Sequence, residues 1–596
     1  MRKVGEKIEP YLMVILARRF EAITNEMTNT VLRSARSGIV SSARDFSCSV
    51  TDAKGRIISV ADGIPVHVAA SGLIAKSMVE LHDDIRPGDL FLNNSPYYGN
   101  THHADFTTSV PVFYKGKHLF TANTREHQAD IGNSQPTTYM PFSRDLYEEG
   151  ALDFPCVKVQ EDYKDIEDII RMCRVRIRVP DQWYGDYLAQ VGASRIAERR
   201  LIELCDKYGV DTVKAFIEQW LDYGERRMIE EIRKLPKGTW KAESKYDPIP
   251  GVADEGITFR VKMTIDPNEG YIEIDTTESD DCVPGGFNLC EATARAGGIT
   301  GVINNLDPTI PHNDGAFSRI RFKLREGCVA GIPKIPACAS IATTPTVDRL
   351  INPVMALFAE LGEDKGIAEG GLGMAPAAAS ISGTDWRTCQ PYANQLVTGH
   401  TGGPAVYGHD GWLTYGVPNV AGVMYYDSVE VNEKKFPIIY DCIQLIIDSE
   451  GAGRWRGAPG VLVIATQRHD PGGWAYSGDG HFFPPKGIHG GLAGRPSYAW
   501  KYNINDGKRI DLPMNSFEMI TPEEAIVSES NGGGGFGDPL DRDPEKVRWD
   551  VREENVSRDK ARDIYGVVID TRYEQYAVDH KATEELRKKL KKEKGG

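Results

Sequence analysis

The residue pattern predicts a mixed α+β chain, large and β-rich, with an N-terminal α/β domain and a helical insertion. Three observations carry that expectation. Apolar residues recur at helical spacing over 11–37 and again over 163–234. Strand-like alternation appears at Ile257, Phe259, Val261 and Met263. At 596 residues the chain also exceeds what one typical core fills, so several parts are expected. They are expected at 1–160 (N-terminal domain), 161–240 (helical segment), 241–540 (β-rich central and C-terminal domain) and 541–596 (helical tail).

The first helix is read from Tyr11, Leu12, Ile15, Leu16, Phe20, Ile23, Met27, Val31 and Leu32, which fall on one face. Phe46–Val50 and Ile57–Val60 then read as a strand pair joined through Asp52-Ala53-Lys54-Gly55. A second helix is expected over 68–82, followed by Gly88-Asp89-Leu90-Phe91-Leu92. Residues 110–122 fold back around Lys115-Gly116-Lys117 as a hairpin. With the turn centred on Gly116, facing residue numbers sum to 232, which sets Asp105 opposite His127 with Cβ atoms about 4.5–5.5 Å apart. Pro111 requires the first of these strands to be an edge or bulged strand. In the helical insertion, Arg195–Leu204 is the clearest amphipathic run. Beyond 277 the chain reads as Gly- and Pro-rich β structure with interspersed helices. Asn531–Pro539 carries four consecutive glycines but lacks the Gly-Lys-Ser/Thr ending of a phosphate loop. A structural or interface-lining loop is the expectation there.

Chemistry concentrates between residues 93 and 132. The chain has thirteen histidines, and four of them fall at 102, 103, 118 and 127. His102, Asp105 and His127 form a donor set that suits Zn, Mn or Fe. Spacing alone leaves open the alternative of structural histidines clustered by chance; His103 and His118 read as supporting or surface residues. The net charge of −15 argues against nucleic acid as a partner. Met1–Lys7 lacks the apolar core of a signal peptide, and no apolar run approaches about 18 residues, so a cytoplasmic protein without a membrane span is expected. Ten cysteines show no C-x-x-C pair and read as reduced thiols. The basic run Arg587–Lys594 reads as a solvated helix end or disordered terminus, with a docking arm as the alternative.

Ordered motifs along nearly the whole chain resemble the hydantoinase B/oxoprolinase family. They are Ser42-Ala43-Arg44-Asp45-Phe46-Ser47-Cys48, Ile64-Pro65-Val66-His67, Pro87-Gly88-Asp89, Gly99 to Asp105, His127 to Gly132, and Glu149-Gly150. Gly451 to Gly457, Gly532 to Leu540 and Tyr565 to Val568 complete the series. The resemblance implies a divalent metal (Zn, Mn or Fe) on His102, Asp105 and His127, with Asp45 as fourth ligand. An ion pair of Asp45 with Arg44 or Arg36 is the competing reading. Asp130, His67 and Glu149 are the implied catalytic candidates, orienting imidazoles or passing protons.

The resemblance further implies that ATP is bound by a hydantoinase-A-like partner subunit and not by this chain, with small accessory subunits possible. Activated substrate then meets the metal in one of two reactions, carboxylation of a ketone or hydrolysis of a cyclic amide. Gln128 after His127, the divergent segment Pro333–Thr344, and the aromatics Tyr97, Tyr98, Phe106 and Tyr139 lean the expectation toward a ketone carboxylase of the acetophenone type. A cyclic amide hydrolase (hydantoinase, 5-oxoprolinase or caprolactamase type) is the alternative, and a non-catalytic scaffold subunit the second alternative.

Overall fold

The computed structural model describes residues 7–61, 63–413, 415–570 and 576–594. The N-terminal signal-peptide reading therefore falls mostly outside the described residues. Helix α1 (Pro10–Ser34) opens on a proline, whose missing N–H costs nothing at that position. It stops at Ser34, three residues short of the end expected at 37. There the N–H groups of Arg36 and Ser37 turn to the buried carboxylate of Asp186, which offers the backbone a partner other than the helix. The one-turn α2 (Gly38–Ser41) follows, held by the Asn394 side chain, which accepts from the N–H groups of Gly38 and Ile39.

Next come β1 (Phe46–Asp52), β2 (Ile57–Val60), the one-turn α3 (Pro65–Val68), α4 (Ser71–Leu81), β3 (Leu90–Asn93), β4 (Asp105–Tyr114) and β5 (Lys117–His127). After the one-turn α5 (Leu146–Glu149), β6 (Val157–Glu161) and β7 (Lys164–Asp165) complete an antiparallel sheet of order β2-β1-β5-β4-β3-β6-β7.

The β4–β5 register is the one the turn arithmetic predicts, with Asp105 opposite His127 and the sum of 232 holding as far as Val112 opposite Phe120. A bulge between Val112 and Phe113 then shifts the pairing by one. The turn itself is the two-residue loop Lys115-Gly116, with both φ values positive (48° and 78°), as a hairpin of this length prefers. Pro111 is tolerated because β3 pairs only with Thr107–Ser109, so the sheet ends before reaching the proline on that side.

Helices α6 (Glu167–Arg176), α7 (Pro180–Tyr208) and α8 (Val210–Ile232) form the helical stretch. One face of the sheet is covered by α1 and α7. Phe20 lies 6.0 Å from Phe120, Gln190 donates to the Phe106 carbonyl, and Ser194 bonds the hydroxyls of Thr108 and Thr124. Residues that alternate with these, Asp105, Thr107, Arg125 and His127, point to the opposite face. That face meets the segment around residues 338–346, and so the pleat assigns greasy packing to one side and chemistry to the other.

A second sheet, built from β8 (Gly238–Tyr246), β9 (Ile257–Asp266), β10 (Tyr271–Asp275) and β11 (Ile320–Lys323), follows the helices, and two further five-stranded sheets occupy the C-terminal half. One hydrophobic cluster runs from Ile8 to Met424, and smaller ones span Ala379–Ile526 and Ala452–Val567. The divisions expected at 160/161 and 240/241 fall within β6 and β8 respectively.

Four consecutive glycines near the C-terminus are explained by close backbone approach. A Cβ on Gly532, Gly533, Gly534 or Gly535 would lie 1.7, 1.9, 2.1 or 2.2 Å from the carbonyl oxygens of Ser449, Gly403, Lys486 and Ala452 respectively. Three other segments thus pack onto this one at distances only glycine permits. The basic run ends the helix His580–Lys594, where Arg587 donates to the carbonyls of Tyr565 and Arg542. All ten cysteines are free, and seven are buried. Among the described residues no helix is long and apolar enough to cross a membrane.

Candidate metal centre

Asp105 is the hub of the site. As the first residue of β4 it is fully buried, and its two oxygens serve different partners. Oδ1 lies 3.0 Å from His102 Nε2 and 3.2 Å from His127 Nδ1; Oδ2 lies 3.1 Å from His67 Nε2 and accepts from the Thr101 hydroxyl at 2.5 Å. Ligand atoms of His102, Asp105 and His127 all fall within 4.8 Å of one another. The hairpin brings His127 opposite Asp105, while the bend at 101–104 brings His102 back over the strand end.

Both imidazoles are oriented from behind. His102 Nδ1 donates to the Ser340 carbonyl at 2.9 Å, which leaves Nε2 as the lone-pair atom facing Asp105. On the other side His127 Nε2 meets the Thr138 hydroxyl at 3.2 Å, and Thr138 is itself bonded to Ser380. Thr343 Oγ1 lies 3.3 Å from His102 Nε2. Arg125, one pleat back from His127, holds the α3 turn that carries His67 by donating to its carbonyl at 3.1 Å.

The electrostatics divide the two carboxyl groups of the cluster. Burial pushes the Asp105 carboxyl up, but His102, His67 and His127 outweigh it and hold the group well below the usual carboxylate range. Asp45 goes the other way: burial first, then the Asp105 charge, push it well above that range. Its Oδ1 is buried without a hydrogen-bond partner, 3.8 Å from His67 Nε2. Burial also lowers His67 and His127 despite the nearby carboxylate, so both rings favour the neutral, ligating form. Two buried carboxylates among neutral imidazoles fit a divalent ion, which supplies the missing positive charge and a partner for the stranded oxygen.

The other expected residues sort differently. Asp45 pairs with neither Arg44, which stacks on Tyr425, nor Arg36, and its backbone carbonyl accepts from the His127 N–H at 3.0 Å, tying it to the cluster. His67 touches Asp105 directly, closer than a supporting role behind the imidazoles implies. Asp130 is engaged elsewhere: its carboxylate accepts from Gly132 N–H and from Arg178, with the ion pair at 3.0 Å. Glu149 stands one step behind, bonded to His103 Nδ1 at 2.8 Å and to the Cys338 thiol.

Of the four aromatics, Tyr139 borders the cluster, with its ring 5.7 Å from His127. Phe106 packs with Phe154, one residue out of phase with Asp105 and His127 on the strand. Tyr97 donates to the Ala337 carbonyl and faces His103, and Tyr98 is exposed. Gln128 donates to the Glu126 carbonyl. Thr101, Thr138, Ser340 and Thr343 were not singled out by sequence. Thr101 lies in the motif run, Ser340 and Thr343 lie in the divergent segment Pro333–Thr344, and no local signal announces Thr138.

Comparison with known proteins shows what the chain is similar to. The family model for hydantoinase B/oxoprolinase matches residues 9–539. The chain is 29% identical over 571 residues to caprolactamase subunit beta of Pseudomonas jessenii, covering 94% of this chain and 97% of that one. It is 24% identical to the acetophenone carboxylase delta subunit of Aromatoleum aromaticum, covering 97% and 88%. Among solved structures, the ATP-dependent caprolactamase of P. jessenii superimposes with a TM-score of 0.87 at 27% identity, over 98% of this chain and all of that one. Nucleotide-free acetone carboxylase superimposes with a TM-score of 0.88 at 20% identity, over 98% and 83%, a likeness of fold.

Proposed function

The chain belongs to the hydantoinase B/oxoprolinase family, and from that membership we propose that it is the metal-carrying subunit of an ATP-dependent enzyme that opens a cyclic amide. The supporting observation is the convergence of buried His102, Asp105 and His127, with ligand atoms within 4.8 Å of one another; Asp45 is the proposed fourth ligand. Caprolactamase and putative hydantoinase subunits stand among its relatives at 29% and 28% identity, which supports ring opening as the reaction. ATP is used by a separate hydantoinase-A-like subunit, and this chain receives the activated compound. Relatives named as subunits make such a partner the natural expectation.

A divalent ion at this centre supplies Lewis-acid polarisation of an oxygen and a nucleophile at neutral pH. The chain's own residues do the rest. Asp105 stays anionic and fixes the facing nitrogens of His102 and His127, and the Ser340 carbonyl and Thr138 hydroxyl lock the rings. Neutral His67, its Nε2 3.1 Å from Asp105 Oδ2, donates that N–H to the carboxylate and leaves Nδ1, buried without a hydrogen-bond partner, as the nitrogen that can take a proton. The enclosing wall excludes bulk water, which strengthens each of these interactions.

Carboxylation of a ketone is the second reading, favoured by the acetophenone carboxylase relative, which matches nearly the whole chain. Its sequence support is thinner in the fold, since only Tyr139 of the four expected aromatics borders the cluster. The assembled complex, given caprolactam, hydantoin or 5-oxoproline with ATP, should open at least one ring without bicarbonate and take solvent oxygen into the new carboxylate. Fixation of labelled bicarbonate onto acetophenone, with no ring opened, would reverse the preference. Stoichiometric absence of any divalent ion from the purified chain would favour a scaffold subunit.

A further inference from the structure

Four glycine-bearing segments of the C-terminal half, 402–413, 451–458, 487–494 and 532–537, are stitched side by side through their backbones. The 532–537 segment bonds to all three others. Gly534 accepts from the Ala405 N–H, Gly533 accepts from the Gly451 N–H, and Gly535 donates to the Leu492 carbonyl, at 2.8–3.0 Å. A Cβ on Gly402, Gly457, Gly491 or Gly494 would lie 2.0–2.1 Å from a carbonyl oxygen of a neighbouring segment, so side chains are excluded between them.

The side chains this scaffold turns outward are aromatic. Tyr407, at the tip of the turn closed by Val406 and His409, is 51% exposed, and Trp412 on the same segment is 69% exposed. The Tyr407 ring lies 4.7 Å from Trp455, Trp455 lies 5.4 Å from buried Phe536, and His489 lies 4.8 Å from Phe536. Rings from all four segments thus meet, and Leu492 adds exposed apolar surface beside them. Contiguous apolar surface of this kind marks an interaction site, and Trp, Tyr and Arg dominate the energetics of protein interfaces.

The charge of this face has a sign. Of the acidic and basic residues on the four segments, Asp410 is held by Arg542 at 2.6 Å and Arg456 by Asp550 at 2.8 Å. That leaves Arg454, which stacks 4.7 Å from the Trp455 ring centroid and, among the described residues, pairs with no carboxylate. Exposed Lys486, just outside the 487–494 segment, likewise forms no ion pair among the described residues. Asp538, just outside 532–537, turns to the Leu540 N–H. Positive charge therefore prevails here, in a chain whose net charge is −15.

On the functional reading above, in which the chain works with a second, different subunit, we infer that this aromatic face docks that subunit through an apolar projection rimmed by carboxylates. A second copy of this chain fits worse, because an isologous contact would set one cationic face against another. The stitched backbone holds the aromatic side chains in place before the partner arrives, which lowers the ordering cost of association.

The test uses the full chain and a co-expressed hydantoinase-A-like subunit, with affinity measured after separate purification. Tyr407→Ala and Trp412→Ala should each weaken the complex at least tenfold. Arg454→Glu should do the same and flatten the dependence of affinity on salt. Circular dichroism and metal content should stay those of wild type in all three, since none of these side chains is buried. Ile510→Ala, at an exposed apolar residue outside the four segments, should leave affinity unchanged. No complex with wild type, full affinity in the three variants, or equal weakening by Ile510→Ala would overturn the inference. Wild-type chain that dimerises alone, and stops doing so as Trp412→Ala, would overturn it in favour of a second copy. A complex weakened by the three substitutions that opens no ring would uphold the docking face and refute the functional reading.

Discussion

Asp45→Asn should have opposite effects on the metal-free and metal-loaded chain. In the metal-free protein, Asp45 Oδ1 is buried without a partner and the carboxyl faces the ionised Asp105. A folded-state pKa above the unfolded value means that ionising Asp45 costs stability as pH rises past about 3.9, where the unfolded carboxyl titrates. The neutral amide removes that cost, and its NH2 can donate to Asp105. A stranded buried acceptor is worth about 1–3 kcal/mol, so the stripped variant should gain stability of that order at pH 7.5. Near pH 3.5 the gain should vanish, because the wild-type carboxyl is then protonated in both states. With metal present the sign reverses: the anionic ligand is lost, and affinity should fall by tenfold or more, about 1.4 kcal/mol or above. Denaturant unfolding with and without chelator, paired with elemental analysis, reads both effects. A stripped Asp45→Asn chain no more stable than wild type at pH 7.5, or one with unchanged metal affinity, would refute the placement of Asp45 as a ligand whose charge is tolerable only beside a cation.

His102→Ala and His127→Ala should each strip most of the bound ion, more than Asp45→Asn does, while far-UV circular dichroism stays that of wild type. Full metal retention by both variants would rule out the ligand set. Gly533→Ala, whose Cβ would sit 1.9 Å from the Gly403 carbonyl oxygen, should yield insoluble chain or lower the unfolding temperature by several degrees, an overpacking cost of about 1–3 kcal/mol. The isolated chain should hydrolyse no ATP, whereas co-expression with a hydantoinase-A-like subunit should give substrate-dependent hydrolysis; phosphate release by the chain alone would place the nucleotide site here.

What sequence revealed followed the range of the forces involved. The β4–β5 hairpin was legible because its alternation and turn are local, but the two-residue turn alone would oppose Asp105 to Glu126; the bulge between Val112 and Phe113 shifts the pairing by one and sets Asp105 against His127. The end of α1 was not, because Asp186, about 150 residues later, captures the backbone at Arg36 and Ser37. The groups that orient the imidazoles fared similarly. Ser340 and Thr343 reach His102 across some 240 residues, from a segment whose sequence diverges from the family pattern. Asp130 sits in a motif yet turns to Arg178, a partner no local pattern marks.

That division also explains why the metal centre is more legible than the substrate. Three of its residues lie on one hairpin and the bend before it, so the pleat alone assembles them. The wall that would distinguish a lactam from a ketone comes from Tyr139, Thr138 and the 338–346 segment, which meet only when the distant half of the chain closes over the sheet. On the proposed reading, the metal ligands are thus encoded in a short contiguous stretch, while the wall around them depends on long-range packing. Exchange of Thr343 for apolar, near-isosteric valine should accordingly alter which substrate is used before it alters metal content, since the Thr343 hydroxyl lies 3.3 Å from His102 Nε2 while the Ser340 carbonyl holds the other ring nitrogen. A Thr343→Val chain that lost its metal in parallel with activity would instead make that hydroxyl part of the support for His102.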